Sequence, residues 1–283
     1  MQVEINAGNG FVDMGTTQLL SMPYALHSEN LSVHVSAIGD TLFLGEEQYV
    51  VIPGISEANT QIPLVDSTAH TCGTEGVHNG SLNYATMTDQ EGNVYKTMVI
   101  GTQEWMAENL NTSVYRNGDE ILAQLSDSEW SQTDITLSGA WSYLEANESN
   151  ACPYGKLYNW FACTDMRGLC PVGWHIPSDS EWNTLTTFLG SSALAGGKMK
   201  SVVLWNAPNT GAQNTSGFSA LPGSFRYSGG SYDVPGNVTY WWSSTAASVS
   251  AAWVRSVGFN NDDVNRDDLN KRSGFSVRCL RDE

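Results

Sequence analysis

The chain has 283 residues, 41% of them hydrophobic and 10% aromatic, enough for one large domain or two smaller cores and too apolar for wholesale disorder. Thirty acidic residues against 13 basic ones give a formal charge of -17, which argues against a nucleic-acid backbone or an anionic membrane as main partner; no apolar run is long enough for a transmembrane helix. Glycine (27), tryptophan (10) and frequent Asn, Ser and Thr point to short strands, turns and ordered loops rather than a helical bundle.

In chain order, "MQVEI" reads as the end of a module that begins further upstream, without a targeting region of its own. The expectation is therefore an exported protein whose signal lies outside this sequence. Residues 1–60 read as a β-rich segment, because "SVHVSAIGDTLFLGEEQYVVIPG" alternates apolar and polar residues around Gly39-Asp40. "LLSMPYALHSEN" before it is a short helix or a connecting turn. Residues 61–83 are polar and without period, a linker. A second domain spans 84–283. It opens with strand, turn at Asp89 to Asn93, and strand, followed by a short segment from Glu104 to Leu110. Asp127 to Asn150 is polar, with Trp130 and Trp141 as anchors, and "YGKLYNWFAC" reads as a short helix. The clearest helix runs from Ser178 to Leu189: Ser178 caps, Glu181 completes a capping box, Trp182, Leu185 and Leu189 share a face, and Gly190 ends it. "WWSST", "AAWVRSVGF" and "GFSVRCL" are three strand candidates, and the helix is expected to pack on a sheet containing the last. The five cysteines, Cys72, Cys152, Cys163, Cys170 and Cys279, form no CxxC pair and no zinc spacing; in an exported protein they allow two disulfides and one thiol.

"DQEGNVYKTMVIGTQEWMAENL", "YGKLYNWFA", "LCPVGWHIPSDSEW", "YWWSST" and "GFSVRCLRD", in that order, closely resemble the Fibrobacter succinogenes major paralogous domain over Tyr84 to Asp282. "GTTQLLSMPYAL" resembles the piece that often precedes that domain in surface proteins. The resemblance implies an α+β, C-type-lectin-like fold of the formylglycine-generating-enzyme type, with Cys170 bridged to Cys279; Cys152 and Cys163, local to each other across a short helix, are expected as a second pair. The same fold holds variable proteins of diversity-generating retroelements, whose C-terminal segment is rewritten at template adenines. The residue types that a mutated Asn codon cannot reach (Lys, Glu, Gln, Met, Trp) make up 47 of 283 residues, so about 4 are expected in the 25 positions 246–270; Trp253 alone is found. An Asn- and Asp-rich surface loop between two strands accounts for the same composition, and both readings stand.

The implied function is a secreted or surface-displayed binding protein for a protein or glycan ligand on another cell or virus surface. Its ligand contacts are expected at Ala247, Ser248, Ser250, Trp253, Arg255, Asn260, Asn261, Asp262, Asp263, Asn265, Asp267, Asp268 and Asn270. Trp253, Arg255 and Phe259 would share one strand face and supply an anchor, while Val264, Arg266 and Lys271 are expected to belong to the scaffold. The alternatives are a structural cell-envelope domain and an enzyme of unrecognised chemistry. The redox cysteine pair of formylglycine-generating enzymes has no counterpart in the last hundred residues, so enzymatic activity is not expected. The calcium motifs of animal C-type lectins are absent too. Asp262, Asp263, Asp267 and Asp268 supply hard oxygens that calcium could take, although a solvated acidic loop accounts for them more simply. His175 reads as a buried or capping residue, and His70 and His78, flanking Cys72, as linker polarity or a site for a stray metal.

Overall fold

The computed structural model describes five strands within residues 1–65 and then residues 67–283. The chain divides into two compact units, Met1–Val65 and Asp66–Glu283. In the first, β1 (Glu4–Asn6), β2 (Phe11–Asp13), β3 (Val33–Val35), β4 (Thr41–Leu44) and β5 (Tyr49–Val51) form an antiparallel sheet in the order β2-β1-β5-β4-β3. The expected β-rich character is present, with β3 and β4 paired on either side of Gly39-Asp40. "LLSMPYALHSEN" lies outside the described residues. Residues 67–83 belong to the second compact unit rather than to a free linker, because a disulfide and a buried charge cluster tie them down.

The second unit is α+β. A five-stranded sheet, ordered β11-β15-β8-β7-β6, is built from β6 (Ala85–Thr88), β7 (Val94–Ile100), β8 (Gln103–Met106), β11 (Trp174–His175) and β15 (Leu280–Arg281). A two-stranded ribbon joins β9 (Trp141–Ser142) to β10 (Leu157–Tyr158), and β12 (Val238–Ala246), β13 (Ala251–Gly258) and β14 (Val264–Asn270) form a three-stranded sheet in that order. The β6–β7 turn falls where the sequence puts it. Asp89 accepts hydrogen bonds from the backbone of Glu91 and Asn93, and Gly92 takes the positive φ the turn requires. Short helices α1 (Asp127–Trp130), α2 (Thr133–Thr136), α3 (Ala151–Tyr154) and α4 (Trp160–Cys163) occupy the long connections.

Helix α5 (Asp179–Phe188) starts at Ser178 with both halves of the capping box formed, buries Trp182 and Leu185, and stops before Gly190, whose φ of 113° suits only glycine. Helix α6 (Ser192–Met199) follows. Trp182 packs on Trp105 of β8, Trp241 of β12 and Phe218, with ring centroids 4.7–6.0 Å apart. The helix thus sits on both sheets. "GFSVRCL" is buried throughout but forms a ladder only at its end: Gly274, Phe275 and Ser276 bridge singly to Arg226, Tyr158 and Trp241, because the segment threads between sheets before Leu280 pairs with Trp105 and His175. Arg278, fully buried within it, donates to Asn109 Oδ1 and to the carbonyls of Met106, Phe218 and Ser219, and burial holds its pKa down at about 9.

Cys170 and Cys279 are bridged, with Cα atoms 6.0 Å apart. The second pair differs from expectation. Cys152 bonds to Cys72, 80 residues away, and Cys163 is a buried free thiol of raised pKa on α4.

Candidate binding surface

Strands β13 and β14 pair residue for residue from Ala251↔Asn270 to Val257↔Val264. The segment around Asn265 to Asn270, expected as a loop, is therefore an edge strand. Alternation along the strands sends Val257 and Val264 into the core with Trp182 and Trp241, and Ala252, Val254 and Leu269 into the core with Trp242. The exposed side chains of β14 consequently fall on two faces. Asn265 and Asp267 share one, and Arg266 and Asp268, with half-buried Asn270 beside them, the other.

Arg255 points at α5 rather than at solvent. It is buried, donating to Asp179 Oδ1 at 2.9 Å and to Asn183 Oδ1 at 2.7 Å on α5, because its strand face is covered by that helix. Asp179 also receives Arg266 Nε and Nη2, each at 3.0 Å, and the Arg266 guanidinium stacks 3.3 Å over the Trp253 ring. Burial, which acts to raise the pKa of Asp179, is outweighed by hydrogen bonds from Arg266 and Arg255, so the carboxylate stays ionised. Trp253 is accordingly half-buried under Arg266, and Phe259 lies beyond the end of the strand rather than beside it.

Two lysines pin the loops at opposite ends of the sheet. Buried Lys200 donates to the carbonyls of Thr210, Gly258 and Asn261 at 2.7–2.9 Å, which holds the β13–β14 turn. Buried Lys271 donates to Ser248 and Val249 at 3.0 Å and holds the β12–β13 loop. Burial lowers the pKa of both. In the first turn, the Asp262 and Asp263 backbone lies on Gly196 and the Asp262 carboxylate fills the space a side chain at Gly211 would take. Asp262 is thus frame, and Asn261 accepts from the Asp263 amide. At the other end Asn270 Oδ1 accepts from Arg272, and Ser248 Oγ from Ala251. Ala247, Ser248, Ser250, Asn260, Asn265, Asp267 and Asp268 are exposed.

The expected contacts therefore do not converge on one spot: Ala247, Ser248 and Ser250 sit at one end of the sheet and Asn260 to Asp263 at the other. The four aspartates cannot form one cation cage either, since Asp267 and Asp268 face opposite ways and Asp262 is packed against Gly211. Among the described residues no cluster of His, Cys, Asp or Glu is arranged to hold a metal. His70 and His78 are buried on Glu108, whose Oε1 lies 2.9 Å from His78 Nε2, while Ser219 Oγ lies 2.9 Å from His78 Nδ1. His175, half-exposed, spans Asp282 and Glu181 at 2.7 and 2.9 Å, which raises its pKa against the effect of partial burial.

Residues 98–281 match the model of the Fibrobacter succinogenes major domain. The chain belongs to that family. No curated protein and no solved structure matches it. The family domain thus contains the whole candidate surface, and Cys72, His70 and His78 precede it; the Cys72–Cys152 bridge ties that preceding stretch to the domain. Sequence reading missed Asp179, Asn183 and Lys200 as supports of the surface, and exposed Leu137, Met166 and Val249, with half-buried Phe161, as apolar neighbours of its loop. Their signal was apolar residues inside otherwise polar stretches, as in "SQTDITLSG" and "CTDMRG".

Proposed function

We propose that this family member is an extracellular, surface-displayed binding protein whose lectin-like scaffold presents the β12–β13 loop and the exposed side chains of β14 to a ligand. One observation carries the reading. Asn265, Asp267 and Asp268 are exposed and make no side-chain hydrogen bond, yet their backbone is fixed in register on β13, which Arg255, Lys200 and Lys271 in turn lock. Such a strand can change its side chains without changing its path, the property that a retroelement-diversified surface requires. The two disulfides fit export.

The test compares the native chain with the triple variant Asn265→Ala, Asp267→Ala, Asp268→Ala on arrays of bacterial and phage surface proteins and glycans. The native chain should select a ligand, and the variant should lose it while keeping the native melting temperature. Retention of the ligand by the variant would assign these residues to a structural envelope domain instead.

A further inference from the structure

Beside the loop that Lys271 holds lies a shallow groove of about 410 Å3, lined by Leu137, Trp160, Phe161, Met166, Val249 and Lys271. Its rim is apolar and bare, with Met166 99% exposed, Val249 97% and Leu137 69%. Single exposed apolar residues are ordinary. Three that converge on one concavity beside two aromatic rings mark a contact surface.

The polar side chains of the groove are already committed. Lys271 Nζ is spent on two loop carbonyls and sits 4.2 Å over the Trp160 ring, and Trp160 Nε1 donates to Ser243 O. Asp165 is held by Arg167, and Thr164 Oγ1 donates to Trp160 O. A saccharide would give up water around its hydroxyls and find these side-chain groups already engaged, Lys271, Trp160 and Thr164 as donors and Asp165 as an acceptor. An aliphatic or aromatic side chain would bury apolar surface at no such cost.

Charge narrows the occupant further. Each of the 13 lysines and arginines donates a hydrogen bond within the chain. The carboxylates of Asp267 and Asp268, exposed on the strand that runs straight into Lys271, accept none. A partner that brings its own cations is complementary to this surface, and an anionic one is not.

We propose that the groove is the anchor pocket of the binding platform, and that its occupant is a protein inserting an aliphatic or aromatic side chain flanked by Lys or Arg. The inference rests on the platform reading above and names the ligand class.

Methyl-labelled methionine in the full chain makes the Met166 methyl group an NMR reporter. The probes are N-acetyl-tryptophanamide and N-acetyl-leucinamide, with methyl glucoside and N-acetyl-lysinamide as comparators. The two apolar amides should shift the Met166 signal and saturate in the millimolar range expected of one buried side chain, and the comparators should not. A blocked Lys-Trp-Lys peptide should bind several-fold tighter than Glu-Trp-Glu, with the gap closing at high salt. Leu137→Lys and Val249→Asp, both at exposed positions that leave the Met166 reporter in place, should abolish the response. The inference is overturned if methyl glucoside shifts Met166 as strongly, if no apolar amide saturates, or if the two variants respond like the native chain. On the ligand arrays, variants of the groove that bind normally while the β14 variant does not would sink this inference alone; if neither set changes binding, the platform reading falls with it.

Discussion

Strands β13 and β14 lie side by side in register and carry opposite kinds of residue. At Arg255↔Arg266 two arginines stand directly opposite, a pairing that by itself repels. Arg255 is buried against α5, Arg266 is open to solvent over Trp253, and one carboxylate, Asp179, serves both. The inner strand has helix on one face and core on the other, so nearly every position is constrained. The outer strand borrows its conformation from the inner one and leaves its own side chains uncommitted.

The largest expected effects fall on what holds the inner strand in place. Removing the Cys170–Cys279 bridge by a paired Cys→Ser change opens a loop of 109 residues, a loss on the order of 4 to 5 kcal/mol in the loop-entropy picture. Trp182→Ala, which empties the centre of the Trp105–Trp241–Phe218 cluster, should cost about 3 to 5 kcal/mol. Denaturant titration measures both. A midpoint unchanged in either variant would mean that the sheet does not depend on the core beneath it.

Next in size is Arg255→Ala, about 2 to 3 kcal/mol, because Asp179 and Asn183 lose their buried donor while Arg266 still neutralises Asp179. Arg266→Ala should cost about 1 kcal/mol, since its side chain is 41% exposed and water screens its pairing with Asp179. The same substitution at two paired positions thus tests the contrast directly. Equal losses by chemical denaturation would erase it.

Much of the inner framework was legible in the sequence, and the physical reason is local. Ser178 and Glu181 are three residues apart and complete a capping box without help from the rest of the chain, and Asp89 to Asn93 close a turn on their own side chains. The misjudged features are the non-local ones. Arg255 reads as exposed because a charge normally is, and its partner Asp179 lies 76 residues away. "VNRDDLN" shows no apolar alternation, since only Val264 and Leu269 turn inward from an edge strand; pairing with β13 makes it a strand, and no local propensity announces it. Cys72 was passed over for the same reason, its partner being 80 residues distant.

Acid separates the framework from the outer strand in another way. Burial holds His70 at a pKa of about 4 against an ordinary 6.5. Burial also acts to raise Glu108, yet hydrogen bonds from His78 and Thr71 prevail and hold it at about 2. Both folded values are depressed, so the unfolded chain takes up protons first and stability falls with pH. The His70 contribution is complete above about pH 6.5 and is lost as pH drops towards 4; that of Glu108 is lost between about 4.5 and 2. Unfolding free energy followed from pH 7 to pH 4 should decline by an amount on the order of 1 to 3 kcal/mol. His70→Gln should flatten that decline, and a native profile that is already flat over this interval would show that the histidine is charged in the folded state.

The smallest expected effect is the one that bears most on function. Asp267→Asn and Asp268→Asn each remove a charge from an exposed side chain that accepts no hydrogen bond, and each should change stability by less than about 0.5 kcal/mol. Asp268 faces the Arg266 side of the sheet and Asp267 the side of Tyr240, whose phenol pKa is raised first by burial and then by the charge of Asp267. A spectroscopic titration of Tyr240 should therefore move down in pH on Asp267→Asn and stay put on Asp268→Asn, because the two carboxylates lie on opposite faces of one strand. If both substitutions moved the phenol equally, β14 would not hold the alternation that its pairing with β13 imposes, and the separation of a fixed backbone from changeable side chains would be lost.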